Sequence, residues 1–133
     1  PVGTDKMIAV CSSDYSWQGS AKMEELIEMP LLLRELGSGS RSMVEALLSK
    51  YKKKPEIVME SISIRSLIEA CAKGMGVLLL TKSVLEPYMK SHHLREIKIT
   101  DESIVREYYF VYHKSKFLTK SMKCFQEFVL ENR

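Results

Sequence analysis

Nowhere in the 133 residues does an apolar run approach the ~20 residues that a membrane-spanning helix requires, which argues against a bilayer-embedded protein. Cysteine is sparse: Cys11, Cys71 and Cys124 are odd in number, widely spaced, and form no C-x-x-C or other metal-ligand pattern. Such a set builds no disulfide framework, and reduced thiols fit the cytoplasm. Six Gly and four Pro exclude a low-complexity or collagen-like chain, and 45% hydrophobic against 28% charged residues argues against disorder. Neither sign of charge dominates. A net charge of +3 is thin for a dedicated nucleic-acid surface. The densest basic cluster is Lys50, Lys52, Lys53 and Lys54. It sits where a helix is expected to end, and cations there complement the helix dipole. No secretion signal opens the chain, which starts at Pro1 instead of Met, so further residues are expected upstream.

What is present is a regular alternation of patterns. Residues 7–11 (MIAVC) read as a buried strand. Ser20 offers an N-cap to a short helix over 22–27, ended by Pro30. Residues 31–33 form a second apolar strand, after which the period changes to that of a helix. Met43, Val44, Leu47, Leu48 and Tyr51 place an amphipathic helix over 41–52, capped by Ser40 or by a Ser42/Glu45 box. A strand follows at 57–59, then a helical stripe of Ile64, Leu67, Ile68, Cys71 and Met75, capped by Ser61 or Ser63 and closed at Gly74. A strand at 77–80, a short helix over 83–90 with Pro87 in its first turn, and a brief strand around Ile97 and Ile99 complete the middle. Residues 108–112 (YYFVY) have strand composition, and 118–129 has the spacing of a closing helix starting near Thr119 or Ser121. Strands alternating with helices predict a parallel α/β layer with right-handed crossovers.

One segment carries chemistry. The loop Arg34-Glu35-Leu36-Gly37-Ser38-Gly39-Ser40-Arg41 leaves a buried strand and enters a helix, the position at which open α/β sheets bind ligands. Its glycines allow close backbone approach. Ser38 and Ser40 supply hydroxyls, the helix start supplies free amides and a favourable dipole, and Arg34 and Arg41 supply bidentate donors. Together they predict a small polar anion. The plainer reading is a loop that turns the chain and caps a helix, with Arg34 and Glu35 as a surface ion pair. The loop lacks the G-K-[ST] ending of a P-loop and the third glycine of a dinucleotide fingerprint.

Pro30, three apolar residues and R-E-x-G-S-G-S-R resemble a hallmark of the sensing domains of LysR-type transcriptional regulators, with Ser40 standing where Thr is more usual. The run Ile57-Val58-Met59-Glu60-Ser61, the turn Gly74-Met75-Gly76-Val77, His93-Leu94, and YYFVYHKSK followed by a helix containing Phe125 resemble the family's later motifs in the same order. The resemblance implies a two-lobed, α/β, periplasmic-binding-protein-like (type II) domain, its second lobe complete and its first lobe partial. Residues 1–19 would be partial first lobe and hinge, 20–99 the second lobe, and 100–133 the hinge return with the closing strand and helix. It implies a small, anionic co-inducer in the cleft, no cofactor, homo-oligomers through the sensing domain, and DNA contact only through a helix-turn-helix outside this chain. The matching ligand positions are Arg34, Ser38, Gly39, Ser40, Arg41, Ser61 and Ser63, whereas Gly74 and Gly76 shape backbone.

Other candidates rank lower. His92 and His93 are adjacent and diverge, and His113 follows a strand, so no metal is expected. No nucleophile motif or acid–base pair suggests an enzyme. Tyr15 and Trp17 read as cover for a hinge, and the eight Met as core filler. The competing function is a lobe of a transport system's solute-binding protein, which shares the architecture. Self-association is expected through residues 108–112 or the closing helix, because the partial lobe exposes a sheet edge and an apolar face.

Overall fold

The computed structural model describes residues 1–17 and 19–132. They fall into two compact units, Lys6–Ile104 and a smaller one of Pro1–Asp5 with Val105–Arg133. In chain order the elements are β1 (Gly3–Ser12), β2 (Ser20–Ala21), α1 (Met23–Ile27), β3 (Leu31–Arg34), α2 (Gly39–Leu48), β4 (Ile57–Ser61), α3 (Ile64–Ala72), β5 (Val77–Thr81), α4 (Lys82–Leu85), β6 (Leu94–Ile99), β7 (Val105–Tyr108) and α5 (Lys120–Glu131). Among the described residues no helix is long and apolar enough to cross a membrane.

In the larger unit the strands lie in the order β2-β6-β1-β5-β3-β4. Strands β3, β4 and β5 are parallel, with α2 and α3 as the connections between them, as the alternating pattern predicts. Strand β1 sits between β5 and β6 and is antiparallel to both, Ala9 lying opposite Leu79 and Ile97. Alternate residues feed opposite faces. Met7, Ala9, Cys11, Leu31, Leu33, Val77 and Leu79 pack with α1 and α2, while Ile8, Val10, Leu32, Leu78 and Leu80 pack with α3 and α4. Because helices cover both faces, these strands read as unbroken apolar runs. Tyr15 and Trp17 pack against the α1/α2 face.

Local differences from the sequence reading have local causes. Ser20 lies in β2 and does not cap α1; the Lys22 amide is instead held by Glu25 (2.7 Å) and that of Met23 by the distant Asp101 (2.8 Å). Helix α2 starts at Gly39 because Ser38, not Ser40 or Ser42, is its N-cap. Of the two serines offered for α3, Ser63 is the cap. Helix α4 stops at Leu85 and gives way to a 3-10 turn at Glu86–Tyr88, where Pro87 has no amide to donate. Met75 lies past α3 and is half exposed. Gly74 has φ +77, as a helix-terminating glycine requires.

In the smaller unit β7 pairs β1 and ends at Tyr108, whose carbonyl accepts from Val2 at 2.7 Å. The expected strand over 108–112 is therefore displaced toward the N-terminus: residues 109–112 have strand propensity but, among the described residues, form no strand. Thr119 caps α5 by accepting from Met122, and no α5 residue is buried. Phe125 meets Phe110 at 6.0 Å between ring centroids, yet stays more than half exposed.

Candidate ligand site

The site is built at the carboxyl ends of two adjacent parallel strands. Buried Leu31, Leu32 and Leu33 anchor β3, and its last residue, Arg34, is in register with Ser61, the last residue of β4. Each strand then turns into a helix that begins at the same edge. Gly37, at φ +93, makes the first turn, with the Ser38 amide donating to the Glu35 carbonyl at 3.2 Å. Ser38 Oγ accepts from the Arg41 amide (3.1 Å) and its carbonyl from the Ser42 amide (3.0 Å). On the second strand Ser61 Oγ accepts from the Ser63 amide (3.0 Å), and Ser63 Oγ from the Ser66 amide (3.2 Å). Among the described residues, the amides of Gly39 and Ser40 in α2, and of Ile64 and Arg65 in α3, have no protein acceptor. These four are the open donors that a helix start presents to an anion.

The two arginines behave differently. Arg41 is buried, with 6% side-chain exposure. Its Nε donates to Glu45 (2.6 Å), and Nη1 to Glu60 (2.7 Å) and the Arg34 carbonyl (2.9 Å). Burial works against its charge, but the Glu45 and Glu60 carboxylates outweigh it and hold the pKa above the ordinary arginine value. Arg41 thus ties α2 to β3 and β4 from inside. Arg34 lies at the rim, its Nε and Nη2 donating to Glu35 at 2.8 and 2.9 Å. Hydrogen bonds from Arg34 hold the Glu35 carboxyl below its usual range. Two arginines therefore face three carboxylates, and the uncompensated positive potential at this edge comes from the helix starts.

The structure brings Arg34, Ser38, Gly39, Ser40 and Arg41 onto one loop beside Ser61 and Ser63. Ser40 is buried, Ser38 and Ser61 are half-buried, and Gly39 and Ser63 are exposed. Sequence reasoning missed Glu60 and the partner role of Glu45. The latter was signalled by its i,i+4 spacing from Arg41; Glu60 had no signal, because only strand register brings it near. Open depressions of about 330 Å³ at Ile8, Lys82 and Met89 and about 400 Å³ at Ser12, Tyr15 and Lys73 are lined by none of the loop residues. The histidines are dispersed: His92 lies 3.4 Å from Glu69, the His93 carbonyl accepts from Ser13, and His113 contacts Ser115.

Comparison with known proteins bears on the family and the fold. The family model described as "LysR substrate binding domain" matches residues 1–133. The HTH-type transcriptional regulator YeiE of Escherichia coli K12 is 28% identical over 111 residues, covering 84% of this chain and 38% of the relative. The HTH-type transcriptional activator CmpR of Synechocystis is 28% identical over 107 residues, covering 80% and 35%. The chain thus spans less than two fifths of the length of these two regulators. Among solved structures, the Synechocystis CcmR regulatory domain in complex with 2-PG superposes with a TM-score of 0.88 at 21% identity, covering 99% of this chain and 64% of that one. The effector-binding domain of QuiR in complex with shikimate gives 0.80 at 12% identity, covering 99% and 63%. At these identities the likeness is one of fold.

Proposed function

The chain belongs to the LysR substrate-binding domain family, with its periplasmic-binding-protein-like type II α/β fold, and on that premise we propose that it senses a small anionic effector for a transcriptional regulator. The carrying observation is the convergence of two helix starts, α2 and α3, at the ends of paired strands β3 and β4. Oxyanion oxygens would be received by the Gly39, Ser40, Ile64 and Arg65 amides, with Ser38, Ser40, Ser61 and Ser63 giving hydroxyls and Arg34 a guanidinium. Arg41 supports the loop from behind. The complexes of related folds with 2-PG and shikimate support a ligand of this size and polarity.

In this reading residues 20–99 are the second lobe and carry the ligand loop, residues 1–19 and 100–133 belong to the partial first lobe and hinge, and the chain performs no catalysis. Effector binding would act on a DNA-binding element outside this chain and on subunit packing within a cytoplasmic homo-oligomer. The regulators among its relatives favour this over a transport system's solute-binding lobe. The test is a nuclear magnetic resonance titration with sulfate, phosphate and small carboxylates. Shifts at the Gly39, Ser40, Ile64 and Arg65 amides, weakened by Arg34→Ala, are expected. If no anion moves these amides, the assignment fails.

A further inference from the structure

We infer that Glu35 competes with the ligand's anionic group for the Arg34 guanidinium, which restricts the site to small molecules carrying two or more acceptor groups. The inference rests on the ligand-site reading above. Neighbouring residues of a strand project to opposite faces. Glu35 nevertheless reaches Arg34, because the chain leaves β3 at Arg34 and turns through Gly37. Its two carboxylate oxygens accept from Nε (2.8 Å) and Nη2 (2.9 Å) of Arg34. That is the fork-to-fork pairing a ligand carboxylate or phosphate would otherwise take. The two side chains are only 20% and 29% exposed, so solvent screens the pair less than an open surface one.

The tether decides the competition. A carboxylate one residue away acts at an effective concentration of ~mM or above. A free monocarboxylate offers Arg34 the same chemistry and gains nothing by exchange. At the other edge of the guanidinium it meets a charge that Glu35 already offsets. A ligand with a second acceptor group escapes this limit. It also engages the open amides of Gly39, Ser40, Ile64 and Arg65, to none of which the Glu35 side chain is bonded. Selection here arises from a built-in rival as much as from attraction.

The experiment compares acetate and malonate binding to the 133-residue chain and to its Glu35→Gln variant, read at those four amides. The wild type is expected to prefer malonate strongly. In Glu35→Gln, acetate should tighten about tenfold and malonate less, narrowing the preference. A preference unchanged by the substitution, with malonate still moving the amides, overturns the competitor role and leaves the site standing. Malonate that moves none of the amides in either protein overturns both. Should the variant fold poorly, the wild-type Glu35 carboxyl carbon decides: malonate shifts its resonance if Glu35 is displaced, and leaves it in place if Glu35 does not compete.

Discussion

Single side chains carry the sharpest consequences. Arg41 holds α2, β3 and β4 together through Glu45, the Arg34 carbonyl and Glu60. Glu45 and Glu60 are themselves 47% and 41% exposed and regain water when it is removed. Arg41→Ala should therefore cost about 1–3 kcal/mol by urea denaturation, less than breaking a fully buried pair. Gly76 shows a steric limit. A Cβ there would lie 2.4 Å from the Pro30 carbonyl oxygen, and the Val77 amide already donates to that oxygen at 2.8 Å. Gly76→Ala should cost about 2 kcal/mol or more, measured the same way. Burial pushes the Cys71 thiol up from 9.0 to about 12. A folded-state value above the unfolded one contributes stability that is complete below pH 9 and lost as pH rises toward 12. Cys71→Ala should flatten the fall of stability over that window. In the native protein at pH 8, thiol reagents should label exposed Cys124 and spare buried Cys11 and Cys71.

Elements are set by their ends. Ser38 and Ser63 each accept a hydrogen bond from the amide three residues on, so each replaces a partner the helix start lacks. Ser38→Ala and Ser63→Ala should each cost about 1 kcal/mol in thermal or urea unfolding, and glycine at either position only a few tenths. The distinction from ligand loss is measurable: Ser38→Gly keeps the helix start and its open amides while removing only the hydroxyl. The stripes of α2 and α3 and the apolar runs of β3 and β5 were legible in the sequence because period and burial coincide there. Their starts were less legible. Several serines near each helix could cap it, and which one does depends on where the strand lets go of the chain.

For the molecule as a whole, the two units differ in how they satisfy their apolar residues. In Lys6–Ile104 the sheet is covered on both faces and the long aliphatic side chains of β1, β3 and β5 are buried. In the smaller unit Phe117, Phe125 and Phe128 are 83%, 57% and 63% exposed, and no α5 residue is fully buried. Large apolar side chains left exposed in this number favour association. Sedimentation should show concentration-dependent self-association, reduced when Phe125 and Phe128 are both changed to Ser. A monomer at high concentration would remove this expectation.

The sequence by itself determined the alternation of strands and helices, the position of the loop from Arg34 to Arg41, and the resemblance to LysR sensing domains. Those features are local: they follow from periodicity, glycine and capping residues read along the chain. Tertiary structure decided the rest. It placed β1 antiparallel between β5 and β6, limited β7 to the residues that β1 can pair, and sent one arginine of the loop inward and the other to the rim. The reason is that register and burial are set between segments. Nothing written within Arg34–Arg41 says that Glu60, a residue of the neighbouring strand, will lie beside Arg41 and fix its guanidinium.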